Sequence, residues 1–328
     1  MNAETNEPLP SPPVSLGSLW LFFVVVFGWS WAFWILAAVL GLSVEAPAGR
    51  MLLFVGLLGP LLGGVGFACF TLSAQEWRDY RRRLVDPRRI GAKWFLVIFV
   101  PIPALMVVAV LLDAATGGPA LALAQAKAAT LLATPTTAVA FLITLFMMGP
   151  IPEELGWRGY ALVRLQARWS ALTSSLILSA IWALYHLPLF FMPGSFHHSQ
   201  GAGSVWFWLF MVQVAGMAVV MTWIFNNTRG STLGAILFHF TLRIHDRQRD
   251  SGDKFLCDAV VAHIGGCRRH VAEGLGSTAI RWRNSAMTVL RLFVWPHDRL
   301  NANRSFRRSA SADGLLATIV LSTIVAFD

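Results

Sequence analysis

Residues 141–163 read FLITLFMMGPIPEELGWRGYALV, an apolar stretch that is interrupted near its centre by Glu153, Glu154 and Arg158. A charged side chain inside the hydrocarbon of a membrane costs at least about 2.5–3.5 kcal/mol on insertion scales, so such residues usually serve a function. If the surrounding apolar residues lie in a membrane, the two glutamates therefore indicate a functional site at membrane depth.

The composition of the whole chain supports a membrane location. Of the 328 residues, 56% are hydrophobic and 13% are charged, whereas soluble domains are about 45–50% apolar. About 20 apolar residues are needed for a helix to cross the hydrocarbon. Six segments meet this requirement, at residues 18–42, 51–73, 94–112, 136–165, 170–192 and 203–225. In the second of them, Gly59 with Gly63 and Gly64 with Ala68 form two small-xxx-small steps that predict close helix contact.

A seventh apolar segment begins at Ser231 and stops at Leu242, where charged residues begin. Its helical length is about 18 Å, which is too short for a hydrocarbon core of about 30 Å. We therefore predict an all-α polytopic transmembrane bundle with six full spans, a truncated seventh and an irregular C-terminal tail. The predicted divisions are an N-terminal tail at 1–17, a membrane-embedded domain at 18–242 and a basic tail at 243–328.

The basic tail differs abruptly from the rest of the chain. Three explanations account for this break: a native tail, a fused unrelated segment or a reading-frame change near residue 242. The composition of the tail also makes it a candidate for disorder. More than half of the net charge of +9 lies after residue 242, so the charge does not predict a nucleic-acid partner for the membrane domain. The three cysteines do not suggest a disulfide framework.

The two glutamates are predicted to play different roles. Glu154 and Arg158 are four residues apart, with the acid first, which favours an ion pair along one helix. Glu153 lies about 100° around the helix and has no such partner, so it is the candidate general base. Pro150 and Pro152 predict a kink that opens space beside Glu153.

Two histidines are predicted to approach the glutamates. Trp182 and His186 share one face of the fifth span, and a helical hairpin turning near Ser170 would place His186 at the depth of Glu154. His239 lies in the seventh segment, where its depth matches less closely.

These motifs, taken in order, resemble the CPBP family, which comprises CAAX prenyl endopeptidases and bacteriocin-processing proteins and is also called Abi. The shared pattern is an apolar Glu-Glu-x-x-x-Arg, then aromatic-x-x-x-His, then a late intramembrane His. The residues that match it are Glu153, Glu154, Arg158, Trp182, His186 and His239. Trp182 stands where the family usually has Phe.

The resemblance implies an intramembrane endopeptidase, with residues 18–242 as the protease-like domain, that cuts a membrane-proximal peptide bond by Glu-activated water. Glu153 and His186 would activate the water, and His239 would stabilise the oxyanion together with an Asn four residues later. This chain has Arg243 at that position. Because loss of one oxyanion donor costs about 10²- to 10³-fold in rate in other hydrolases, we expect impaired catalysis.

The resemblance does not decide whether a divalent metal such as zinc binds, because family members are described both as metalloproteases and as metal-independent glutamate proteases. If a metal binds, the ligands would be Glu153, His186 and His239, which supply suitable nitrogen and oxygen atoms. No His-Glu-x-x-His helix occurs in the sequence. His197 and His198 follow the fifth span, and we predict that they lie at the surface.

Two other functions remain compatible with the sequence. One is a catalytically impaired binding or immunity protein of the same fold, which Arg243 favours. The other is a transporter that uses Glu153, His186 and His239 as a proton relay. The expected partners are a peptide or protein substrate and the lipid bilayer, and the expected location is a bacterial cytoplasmic membrane.

Overall fold

The computed structural model describes residues 16–249, except for residues 116, 119–120, 123–124, 126–127 and 130–133. Within this part of the chain all regular secondary structure is helical, which confirms the predicted all-α class. Most of the predicted N-terminal tail, and the predicted C-terminal tail from residue 250 onward, lie outside the described residues.

Thirteen helices are defined in the described part of the chain, with a π-helical turn at Trp157–Ala161 and 3₁₀ turns at Pro87–Arg89 and Leu187–Phe191. The first six are α1 (Leu16–Val39), α2 (Pro47–Leu57), α3 (Gly59–Thr71), α4 (Ala74–Val85), α5 (Ala92–Phe99) and α6 (Pro101–Ala115). The others are α7 (Pro135–Met147), α8 (Pro150–Gly156), α9 (Leu162–Gln166), α10 (Ala171–Tyr185), α11 (Phe196–Gln200), α12 (Val205–Asn227) and α13 (Thr232–Arg249).

Six helical segments in the described residues are long and apolar enough to cross a membrane, as predicted. They are Ser18–Val39, Pro47–Thr71, Ala92–Ala115, Pro135–Gln166, Ala171–Phe191 and Val205–Asn227. Each overlaps one of the six segments expected from hydropathy. The chain is therefore a multi-pass integral membrane protein.

The fourth span is broken where a kink was expected. Helix α7 ends at Met147 and α8 begins at Pro150, while Gly149 between them has φ +147° and ψ −69°. Proline suits the first position of a helix because its missing N–H would have no partner there. Glycine suits the preceding position because it has no Cβ to oppose a positive φ. Together these residues end one helix and start another in a new direction.

Substitution of Gly149 by Ala is expected to lower the free energy of unfolding by about 1–3 kcal/mol, the usual cost of holding a side-chain-bearing residue in such a conformation. Gly66→Ala is the matched control, because Gly66 lies inside α3 and a Cβ there meets nothing within 4 Å. In a helix interior the control should be neutral or stabilising. Equal thermal unfolding midpoints for the two variants in detergent would contradict this account.

A close crossing of α3 and α8 fixes the position of the two glutamates. A Cβ at Gly64 would lie 2.5 Å from the backbone oxygen of Leu155, and a Cβ at Gly156 would lie 2.5 Å from that of Pro60. Glycine at both positions therefore lets the two backbones touch, in agreement with the predicted small-residue contact. Glu153 and Glu154 lie within one turn of this crossing.

The truncated seventh segment forms α13, which packs against α4, α5, α7, α8 and α12. Its buried residues include Ala235, Phe238 and Phe240. The helix continues to Arg249, so the truncation affects the apolar length and not the helix itself. Because its apolar part is surrounded by other helices, α13 need not match the thickness of the hydrocarbon.

Candidate active site

Glu153 lies in the first turn of α8 and is 4% exposed. Its Oε2 atom accepts a hydrogen bond of 2.5 Å from the indole Nε1 of Trp182 on α10. This partner lies on another helix and is not an ion-pair partner of the kind that Glu154 has in Arg158. An aromatic N–H satisfies one oxygen of this buried carboxylate without bringing a positive charge next to it.

Glu154 is fully buried and connects α8 to α13. Nη1 of Arg158 lies 3.1 Å from Oε1 and 3.1 Å from Oε2 of Glu154, as expected for a pair four residues apart. In addition, Nδ1 of His239 lies 2.9 Å from Oε1 of the same carboxylate. The sequence did not predict this second contact. Glu154 is therefore contacted by the guanidinium group of Arg158 and by the imidazole ring of His239.

The Trp182 ring lies at the centre of these groups. Cζ of Arg158 lies 4.7 Å from the ring centroid, a cation–π contact. The His239 ring packs edge-on against Trp182 with centroids 5.6 Å apart, and the centroid of His186 lies 6.2 Å away. Trp182 thus contacts both predicted catalytic histidines.

His186 follows α10 directly, and its Nδ1 lies 2.8 Å from the backbone oxygen of Trp182. Because a carbonyl oxygen only accepts hydrogen bonds, Nδ1 carries a proton, and Nε2 can accept a hydrogen bond when the ring is neutral. The charges of Glu153 and His239 both act on His186. Ser170 caps the start of α10, so the fifth span begins where the turn was expected.

A small space in front of Gly149 joins Glu153 to His239. The position that a Cβ would take at Gly149 lies 3.4 Å from Oε1 of Glu153 and 3.4 Å from Nε2 of His239. These two atoms are consequently no farther apart than twice that distance. Neither atom takes part in the hydrogen bonds described above, which use Oε2 of Glu153 and Nδ1 of His239. A carboxylate oxygen and an imidazole nitrogen therefore face one space.

His197 does not lie free at the surface, contrary to the prediction, whereas His198 is exposed as expected. The ring of His197, on α11, stacks on His186 with centroids 5.2 Å apart and planes inclined by 27°. Phe210 of α12 packs edge-on against His197 at 4.9 Å. Burial, together with the charges of His186 and Arg243, holds the pKa of His197 well below its usual value of 6.5.

Arg243 lies one helical turn after His239 and is half-buried. Its charge acts on His186 and on His197. The residue that departs from the family pattern therefore lies close enough for its charge to act on these two histidines. A guanidinium here adds positive charge beside the histidines, which an asparagine would not.

The predicted metal ligands do not form a metal centre. In the described part of the chain no group of three or more His, Cys, Asp and Glu side chains is close enough together to hold a metal ion. The conditional zinc site of Glu153, His186 and His239 is therefore not assembled in this part of the chain.

Two comparisons with known proteins agree with the motifs. Residues 135–244 match the family described as type II CAAX prenyl endopeptidase Rce1-like. The chain is also similar to a protein named CAAX prenyl protease 2 from Methanococcus maripaludis, with 29% identity over 227 residues, which is 69% of this chain and 82% of that protein. The segment 135–244 contains every residue of the three motifs and all of α8. Together with the six spans, these matches support the resemblance of the membrane-embedded part of this chain to the CPBP family of intramembrane endopeptidases.

Proposed function

We propose that this protein hydrolyses a peptide bond of a membrane-proximal peptide or protein substrate, with water activated by Glu153, in a bacterial cytoplasmic membrane. The observation that carries the proposal is the shared space in front of Gly149. Oε1 of Glu153 and Nε2 of His239 both border it. A hydrolase needs a proton acceptor for water and a donor for the oxyanion on opposite sides of one small volume.

In the first step, Oε1 of Glu153 takes a proton from water while the oxygen of the water adds to the scissile carbonyl carbon. His186 orients this water through Nε2, which is free because Nδ1 bonds to the backbone oxygen of Trp182. A positioned general base contributes about 10²- to 10⁴-fold to such rates.

In the same step, negative charge develops on the carbonyl oxygen and His239 stabilises it by donating a hydrogen bond from Nε2. This role requires a proton on both ring nitrogens, because Nδ1 bonds to Glu154. A cationic His239 brings the set of Glu153, Glu154, Arg158 and His239 to zero net charge. Charge balance matters here because all four side chains are buried.

In the last step the carbon–nitrogen bond of the substrate breaks and the proton held by Glu153 passes to the leaving nitrogen. The new carboxyl group keeps the oxygen that came from water. Glu154 and Arg158 do not react in this scheme. They hold His239 at the site through the contact between Oε1 of Glu154 and Nδ1 of His239.

The test is a cleavage assay with purified protein in lipid nanodiscs and a peptide substrate tethered to the membrane. In water enriched in ¹⁸O, mass spectrometry should find one heavy oxygen in the new C-terminal carboxyl group. A membrane-embedded library of peptides provides the substrate without assuming its sequence. Absence of cleavage from the whole library, with the peptides bound and intact, would reject the hydrolase proposal for this chain.

Arg243 supports a second candidate function, a protein that binds the peptide and does not cut it. Its charge acts on His186, and it replaces the Asn that the family uses beside the oxyanion. Long incubation distinguishes the two functions, since a binding protein retains the intact peptide and an impaired protease slowly releases products.

Arg243→Asn is expected to increase kcat by about tenfold or more, because it restores a neutral oxyanion donor whose loss costs about 10²- to 10³-fold in other hydrolases. The matched control is Arg78→Asn on α4, where the side chain is exposed. An unchanged or lower kcat for Arg243→Asn would show that Arg243 does not limit the reaction.

A further inference from the structure

Trp182 bonds to both residues that are proposed to activate water. Its indole Nε1 donates to Oε2 of Glu153, and its backbone oxygen accepts from Nδ1 of His186. The two bonds leave one atom available on each partner, Oε1 of Glu153 and Nε2 of His186. One residue on α10 thus determines which atoms of the base and its partner are free.

The bond to Oε2 makes the two oxygens of Glu153 inequivalent. Oε2 is engaged by an N–H donor, whereas Oε1 borders the space shared with Nε2 of His239. If the carboxylate rotated, its free oxygen would leave this space. The orientation of the carboxylate consequently decides whether a water molecule can give its proton to Glu153 beside the oxyanion donor.

The indole itself is held in place from several sides. It is 2% exposed, Arg158 lies over its ring at 4.7 Å, and His239 packs edge-on against it at 5.6 Å. Arg158 in turn is bound to Glu154. Rotation of the Trp182 side chain would break these contacts, so the indole N–H is a fixed donor.

We propose that Trp182 is a positioning residue that fixes Glu153 with Oε1 as the proton-accepting oxygen. This inference rests on the proposed function of Glu153. A phenylalanine here would keep an aromatic ring beside Arg158 and His239 and would lack the N–H. The hydrogen bond can therefore be removed while an aromatic ring stays in place.

The test is Trp182→Phe, measured by kcat, KM and the thermal unfolding midpoint in nanodiscs. We expect kcat to fall about 10- to 100-fold, the range produced by a displacement of a reacting group of about 1 Å. KM should stay close to the value of the unaltered protein, whereas the unfolding midpoint should fall modestly, because phenylalanine fills less of the buried site than the indole. Trp208→Phe is the matched control, since Trp208 is 63% exposed and should tolerate the same change.

Two results would overturn the inference. One is a kcat equal to that of the unaltered protein. The other is a loss of kcat accompanied by a higher KM and by a fall in the unfolding midpoint larger than the smaller ring explains, which indicates a structural role alone. Glu153→Gln, measured in parallel, separates this inference from the proposed function. If Glu153→Gln is inactive and Trp182→Phe is fully active, only the role of Trp182 is wrong; if Glu153→Gln is fully active, the proposed function is wrong as well.

Discussion

Glu153→Gln is expected to lower kcat by about 10²- to 10⁴-fold, the usual contribution of a general base. The amide has the shape of the carboxylate, and its oxygen can still accept the hydrogen bond from Nε1 of Trp182. It cannot take a proton from water under these conditions. The change should therefore affect the chemical step and leave KM and the unfolding midpoint nearly unchanged.

The matched control is Glu45→Gln, because Glu45 is an exposed glutamate in the segment between α1 and α2. It makes the same chemical change outside the site and should keep full turnover. Full turnover of Glu153→Gln would require another proton acceptor. Since Glu154 is already bound to Arg158 and His239, His186 would be the group to examine next.

Arg158→Met is expected to lower the free energy of unfolding by about 3–5 kcal/mol, the usual effect of removing one partner from a buried ion pair. Both Arg158 and Glu154 are completely buried, so the carboxylate would keep its charge with only the contact to His239 remaining among the described residues. The measurement is reversible unfolding in mixed detergent micelles.

The control for this prediction is the double variant Glu154→Gln with Arg158→Met. Replacing both charges removes the uncompensated carboxylate, so the double variant should recover most of the lost stability. If single and double variants are equally destabilised, packing of the Arg158 side chain against Trp182, and not its charge, holds this part of the bundle.

The sequence was sufficient for the features that depend on neighbouring residues. The six spans follow from hydropathy over about 20 residues, and the Glu154–Arg158 pair follows from helical spacing. The turn near Ser170 was also expected, and the structure places an N-cap there. These predictions need no knowledge of how the helices pack.

The parts that were missed depend on contacts between distant segments. The bond between Glu154 and His239 joins α8 to α13, and the bond between Trp182 and Glu153 joins α10 to α8. Hydropathy gives the depth of a residue and not the direction in which its side chain points. His197 was misplaced for the same reason, since a connecting segment that folds back over His186 has the composition of a surface loop.

The break at Gly149 separates two halves of the fourth span that have different surroundings. Most of α7 is exposed on the outside of the protein, whereas both glutamates of α8 are buried. A lipid bilayer that is thinner or thicker than the span makes a helix tilt. Because α7 is not continuous with α8, such tilting need not move the two carboxylates. Their position in the protein can therefore stay the same in bilayers of different acyl-chain length.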